Sequence, residues 1–418
     1  MKKIYLTLLS VCSVCFMVNA QTFKNYKVKA EYIYGTVLKH NKHLENLVKG
    51  PSMGGEIAVE FQTMGEKNWH QYLNFPEIGA GVVFLDLSNP EMLGHAIAAY
   101  PYMNIPLVRT RYFKLNMKPG AGLSLLNKRY SNTPHLPGTL AGPNGEPNMA
   151  NAAIGSMLNA YITFGGNMEI PIAYGWSFTA DYAWNHISNG NFVQPNSGIN
   201  MMNAFVGLKY EPNYKQRSAP VRKELPGVSR KFRFYLTASG GMRQLYYQDG
   251  INYPIASLSF SAHKPLANWY QMGVGADVFY DGVFGAVNAP PNNPNITTRL
   301  KRTYIEKNEF KNKIRAGVSW QHEFLIGRLT AGFHFGLYLY DPIKNLESLE
   351  FDSKGNMIKP TRKKPLIYPY NIEKADGWFY TRGVAKYAIT EHLFASLALK
   401  THLFKAEFIE WGIGYKFR

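Results

Sequence analysis

The sequence predicts an all-β chain, an antiparallel transmembrane β-barrel of about sixteen strands. Three observations predict it. Segment after segment alternates apolar and polar residues, as a strand must when successive side chains face opposite sides. Connections alternate between tight turns, at Gly165-Gly166-Asn167, Ile326-Gly327-Arg328 and Thr390-Glu391-His392, and long stretches near 125–154, 281–310 and 341–375 rich in Pro, Gly, Asn and Lys. Short turns on one rim and long loops on the other belong to outer-membrane barrels. Beyond the N-terminal segment no apolar run reaches the ~18 residues that a membrane-crossing helix needs.

In chain order, Met1-Lys2-Lys3, the apolar run from Ile4 to Val18 and the Val18-Asn19-Ala20 ending read as a secretory signal peptide over 1–20. Cys12 and Cys15 both lie in it, and Val11 and Val14 precede them where lipoprotein processing wants a small residue. The mature chain then has no disulfide and no thiolate metal site. A first half, 21–212, holds strands near 25–37, 54–64, 77–86, 95–104, 112–124, 155–165, 174–188 and 200–211. The polar, basic stretch 213–230 reads as a linker or turn. A second half, 231–418, holds strands near 231–242, 253–263, 267–280, 311–322, 326–340, 376–388, 392–402 and 405–417. The aromatic-rich close at Trp411 to Phe417 suits a last barrel strand.

The halves suggest a diverged eight-strand repeat. Ile57 to Phe61 leading to Gly79 to Asp86 echoes Ile255 to Phe260 leading to Gly273 to Asp281, and Phe178 to His186 has the spacing of Phe394 to His402. Phe404 stands where a counterpart of Ser188 would fall, so that copy cannot do the same chemistry. One large barrel is the preferred architecture, two eight-stranded barrels the alternative. Either must close, because lipid leaves no water for an unpaired strand edge. The formal charge is +18. In an exported protein it points to the phosphates of lipopolysaccharide before nucleic acid, for which no motif is present.

The chemistry concentrates at 184–200. Trp176, Phe178, Ala180, Tyr182 and Trp184 share one face, and His186 and Ser188 continue it. With odd-numbered strands running outward, this end lies at the outer leaflet. A base and a nucleophile at the end of an apolar stripe point to an ester hydrolase with a greasy substrate. Ser188 can attack, His186 can take its proton, and the Asn200 amide can reach His186 from the next strand. Asn189 and the backbone around Gly190 and Asn191 can supply oxyanion donors. Trp184, Tyr182 and Met202 flank the site as substrate-binding residues. Asp181 falls on the opposite face and is a poor third member. His40, His43, His70 and His402 show no metal-ligand spacing with acidic partners, and surface or turn positions are their default, so no metal or cofactor is called for.

The run His186-x-Ser188-Asn189, followed by Gln194-Pro195-Asn196-x-Gly198-Ile199, resembles the lipid A 3-O-deacylase (PagL-type) and acyloxyacyl hydrolase family. The match covers at most the first half and is strongest over 174–211. The resemblance implies an outer-membrane barrel with its site on the lipid-facing wall, removing the ester-linked acyl chain at position 3 of lipid A. It makes Ser188 the nucleophile, His186 the base, and Asn189 with Gly190 and Asn191 the oxyanion hole. Its implied partners are lipid A and outer-membrane lipids. The family's third triad member is usually a glutamate, and Asn200 stands in that place. Gly190-Asn191 also replaces a small residue followed by glycine. The family's barrel has eight strands, which leaves the second half without a counterpart.

The competing reading is a non-enzymatic outer-membrane barrel, a porin or a lipid-binding or structural protein. A lone His and Ser at a barrel rim are ordinarily an interfacial polar pair, and an aromatic stripe ordinarily meets lipid. Basic clusters at Lys301-Arg302 and Arg362-Lys363-Lys364 are solvated loop charge or contacts to lipid A phosphates. Removing the Ser188 hydroxyl discriminates: a channel is indifferent, an esterase stops.

Overall fold

The computed structural model describes residues 25–40, 42–132, 146–245, 251–285, 308–345, 350–351, 357–358, 364–370, 376–403 and 405–417. The signal peptide, Lys301-Arg302, Arg362-Lys363 and Phe404 lie outside these residues.

Every predicted strand is present. The first eight are β1 (Tyr26–Val37), β2 (Ser52–Gln62), β3 (Glu77–Asp86), β4 (His95–Arg109), β5 (Lys114–Leu126), β6 (Leu158–Ala173), β7 (Trp176–Ser188) and β8 (Ile199–Tyr210). The next run is β9 (Arg233–Gln244), β10 (Asn252–Ala267), β11 (Tyr270–Asp281), β12 (Ile314–Ile326) and β13 (Leu329–Tyr340). A two-residue ladder, β14 (Glu350–Phe351) with β15 (Met357–Ile358), lies between β13 and the last three strands. Those are β16 (Phe379–Ala388), β17 (Leu393–His402) and β18 (Lys405–Lys416). No helix among the described residues is long and apolar enough to cross a membrane.

The preferred single large barrel is corrected to two closed eight-stranded ones. β8 turns back to pair with β1, Val28↔Tyr210 through Val37↔Met201. β18 pairs back with β9, Trp411↔Gly240 through Lys416↔Tyr235. Each barrel therefore satisfies its own edge strands, which is what hydrocarbon demands.

A second correction concerns Gly165-Gly166-Asn167. It is not a turn: β6 runs through it to Ala173, and the chain reverses at Tyr174 and Gly175, both with positive φ (49° and 84°). Glycine is needed at 165 for another reason. A Cβ there would fall 2.2 Å from the Tyr182 carbonyl oxygen on the neighbouring strand.

Both barrels are apolar outside and polar inside. In the first, Tyr32, Ile57, Val82, Ile97, Leu123 and Phe164 are exposed, while Lys27, Lys29, Glu56, Glu60, Lys118 and Asp181 are buried. That inverted polarity is what a barrel standing in lipid requires. The interior charges neutralise one another. Lys29 lies 3.0 Å from Glu56 and 2.7 Å from Glu31, Lys118 lies 2.8 Å from Asp181, and Lys209 lies 2.8 Å from Glu169. The second barrel encloses Arg382 against Asp277 and Glu410, and Arg315 and Lys400 against Glu407. Phe279, Tyr338 and Tyr380 pack among them. Eight strands leave room only for such a filling.

The proposed echo between the halves fails in register at its histidine. Along β7 the even-numbered positions face out, so Phe178 and His186 are on the wall. Along β17 Phe394 and His402 are buried, with Leu393, Ala395 and Leu397 exposed. A one-residue offset turns every side chain to the other face, so the equal spacing relates an outward histidine to an inward one.

Candidate active site

β7 and β8 pair antiparallel with His186↔Asn200, Trp184↔Met202 and Tyr182↔Ala204 directly opposite. Opposite residues share a face with their Cβ atoms about 5 Å apart. Local strand geometry thus delivers Asn200 to His186, and the Asn200 Oδ1 lies 2.7 Å from His186 Nδ1. An amide oxygen only accepts, so this bond places the ring proton on Nδ1 and leaves Nε2 as the basic nitrogen. The Trp184 ring stacks on His186 with centroids 5.4 Å apart and planes 11° from parallel, which restrains the imidazole. Tyr182 is exposed and Met202 half-buried on the same face. Ser188 closes β7 and is buried, on the parity of His186.

Asp181 points inward to Lys118 and Lys29, as its parity predicts. The group hydrogen-bonded to His186 across the ladder is the Asn200 amide and not a carboxylate.

The loop after β7 opens with a reversal. Phe192 N donates to Asn189 O at 3.3 Å, and Gly190 and Asn191 between them have φ of 61° and 67°. Positive φ at both central positions makes this a type I′ turn, which glycine and asparagine tolerate best. The N–H groups of Gly190 and Asn191 have no backbone acceptor among the described residues. Asn189 is committed to holding the loop: its Nδ2 donates to Ser156 Oγ (2.8 Å) and Val193 O (2.9 Å), and its N–H to Asn196 Oδ1 (3.0 Å). Asn191 Oδ1 accepts from Gln194 Nε2 at 2.9 Å and from Asn196 Nδ2 at 3.3 Å. Most of the Gln194-Pro195-Asn196 signature is thus spent on shaping the turn.

Sequence groups His40 with surface and turn histidines, yet it belongs beside this site. The β8–β1 seam continues as Leu38 N donates to Asn200 O at 2.8 Å. Two residues on, His40 Nδ1 lies 3.2 Å from Asn200 Nδ2, and His40 Nε2 lies 3.1 Å from Ser197 O. Only the closure of β8 on β1 makes this neighbourhood; in a sixteen-strand barrel β8 would border β9. His70 also departs from expectation, being buried in a one-turn helix (Asn68–Tyr72) with Nδ1 3.2 Å from Glu66.

Two histidine–carboxylate clusters are buried inside the second barrel, His263/Glu323/His334 and Asp376/His402/Glu407. The second overturns the expectation that His402 lacks acidic partners. Their members sit on different strands or loops, so no sequence spacing betrays them. Each already has cations on it: Lys386 lies 2.5 Å from Glu323, and Arg315 and Lys400 bond Glu407.

A family model described as "Lipid A 3-O-deacylase (PagL)" matches residues 53–209. One described as "Acyloxyacyl hydrolase, C-terminal domain" matches 232–350 and 367–418. No curated protein matches the sequence. Among solved structures, the outer membrane enzyme PagL aligns over 44% of this chain and 98% of its own, at 16% identity and a TM-score of 0.26. A mutant porin described as from Rh. blastica aligns over 94% and 100%, at 10% identity and a TM-score of 0.16. The barrel fold rests on the hydrogen-bonded register above and not on these likenesses. Between them the two family models take in most of both barrels, and the chain belongs to the lipid A 3-O-deacylase (PagL) and acyloxyacyl hydrolase family.

Proposed function

We propose that this chain is an outer-membrane serine esterase that removes the ester-linked acyl chain at the 3-O position of lipid A. The observation that carries the reading is the His186–Asn200 hydrogen bond on the lipid-facing wall, with Ser188 on the same strand face two residues on. Ser188 Oγ attacks the acyl carbonyl as its proton passes to His186 Nε2. The carbonyl oxygen, now an oxyanion, accepts from the Gly190 and Asn191 N–H groups at the turn; such donors are typically worth about 3 kcal/mol of barrier. Collapse breaks the ester bond, and His186 returns the proton to the departing sugar oxygen. Water then attacks the acyl-serine with His186 as base, releasing a fatty acid and the free serine. Trp184, Tyr182 and Met202 form the adjoining bed for the acyl chain, and the basic loops suit the phosphates of lipid A.

Asn200 orients His186 but cannot neutralise the imidazolium formed in the transition state. The reaction therefore runs more slowly than with the family's usual glutamate. We assign the chemistry to 21–212, the connection to 213–230, and a separate second barrel to 231–418. Among the described residues, paired charges and aromatic rings bury one another inside the barrels, which supports the esterase reading over the non-enzymatic channel reading.

The test is mass spectrometry of lipid A from cells making the wild-type chain or Ser188→Ala. The wild type should lose one acyl chain, and the variant should show at least a ~1,000-fold slower loss with unchanged heat-modifiable mobility on gels. Identical lipid A from both, with folded protein in the membrane, sinks the proposal.

A further inference from the structure

A carboxylate beside a catalytic histidine needs no orienting, because both its oxygens accept. An amide does. With Oδ1 toward His186 it accepts from Nδ1–H and leaves Nε2 basic; turned by 180° it presents an N–H to Nδ1, forces the proton onto Nε2, and disables the base. The two orientations have nearly the same shape, so packing alone discriminates poorly between them. Whatever sits on the far side of Asn200 decides.

We propose that His40 is a positioning residue that locks the Asn200 amide with its oxygen toward His186, a role that rests on the esterase reading above. His40 Nδ1 faces Asn200 Nδ2 at 3.2 Å. It can accept from that amide only if its own proton is on Nε2, and Nε2 faces the Ser197 carbonyl at 3.1 Å, which can only accept. The relay therefore has one consistent polarity: His40 Nε2–H to Ser197 O, Asn200 Nδ2–H to His40 Nδ1, and His186 Nδ1–H to Asn200 Oδ1. The Leu38 carbonyl, 3.1 Å from His40 Nδ1, pulls toward the opposite ring form. That form would take from the Asn200 amide its acceptor at His40 and from the Ser197 carbonyl its donor, so two contacts oppose one. A flipped amide would set its oxygen against the His40 Nδ1 lone pair, acceptor against acceptor. His40 thus takes over the orienting task that a glutamate would perform unaided.

The test is a four-member cycle on the full chain in detergent micelles: wild type, His40→Ala, Asn200→Asp, and both together. Two rates are read, deacylation of lipid A and labelling of Ser188 by a fluorophosphonate, with heat-modifiable mobility confirming the fold. His40→Ala should lower both rates about tenfold in the Asn200 background, the size of one hydrogen-bond preference. It should change them less than about twofold in the Asn200→Asp background, where no amide remains to orient. His40→Gln, which can accept from Asn200 and donate to Ser197, should restore most of the wild-type rate. An equal loss in both backgrounds would mean ordinary structural support, and no loss in either would mean no role; both overturn the proposal. Normal labelling with the predicted cycle but no lipid A product would leave His40 standing and refute the substrate reading instead. Failure of the wild type to label would overturn both.

Discussion

The seventh strands of the two barrels carry the same letters to opposite ends. In β7, a histidine eight residues after a phenylalanine faces outward, with Asn200 across the ladder and Trp184 stacked on its ring. In β17, the same spacing turns His402 inward, where it lies 2.9 Å from Glu407 and 2.9 Å from the Phe379 carbonyl. On the proposed esterase reading, the outward histidine is the one that moves the proton. The inward one is one tie in a buried charge network. Residue type and spacing are shared; parity against the barrel wall separates the proposed chemical role from the structural one.

That contrast can be broken from either side. Replacing His186 by Ala should lower deacylation by about a thousandfold or more, since base and nucleophile act as a unit, while leaving unfolding in urea unchanged. His402→Ala should do the reverse. The turnover per folded molecule should hold, but stability should fall by about 1–3 kcal/mol as the buried ring that ties Glu407 to the Phe379 carbonyl is lost. Equal effects on rate would refute the division of labour. A smaller effect belongs to the turn: Gly190→Val puts a branched side chain at a φ of 61°, at a cost of about 1–2 kcal/mol. We expect roughly a tenfold loss in turnover, read as a drop in kcat with little change in KM. Tyr182→Ala should be the mildest. Its ring is exposed on the wall, so only apparent affinity for lipid A should weaken, by about two- to threefold, measured in mixed micelles at varied lipid fraction.

Much of this was legible in the sequence because alternation is a local property. Each strand announces itself by which residues are apolar, and Asn200 could be placed on the face of His186 by counting along two adjacent strands. What failed was non-local or ambiguous. Nothing in β8 says whether its free edge meets β1 or β9, since both choices satisfy the same backbone groups; His40 was missed for that reason alone. Gly165-Gly166 looked like a turn because glycine marks both turns and close strand approach, and only the 2.2 Å clearance at Tyr182 shows which applies. The histidine–carboxylate clusters of the second barrel assemble across strands and a loop, His402 and Glu407 on either side of one turn and Asp376 from before β16, at spacings that no metal-ligand pattern singles out. Asn189 read as an oxyanion donor by its position, and its amide hydrogens turn out to be engaged in the loop.

The seam between β8 and β1 also bears on biosynthesis. The His186–Asn200 pair belongs to a single hairpin and can form as soon as two neighbouring strands meet. The Asn200–His40 contact joins residues 160 apart, and it exists only once the first strand has zipped to the eighth. Contacts of such separation carry the largest loop-closure cost and form late. A chain still in transit, before its cylinder has shut, would hold the proposed nucleophile and base but not the proposed clamp that readies them. On that reading, completion of the wall acts as the arming step.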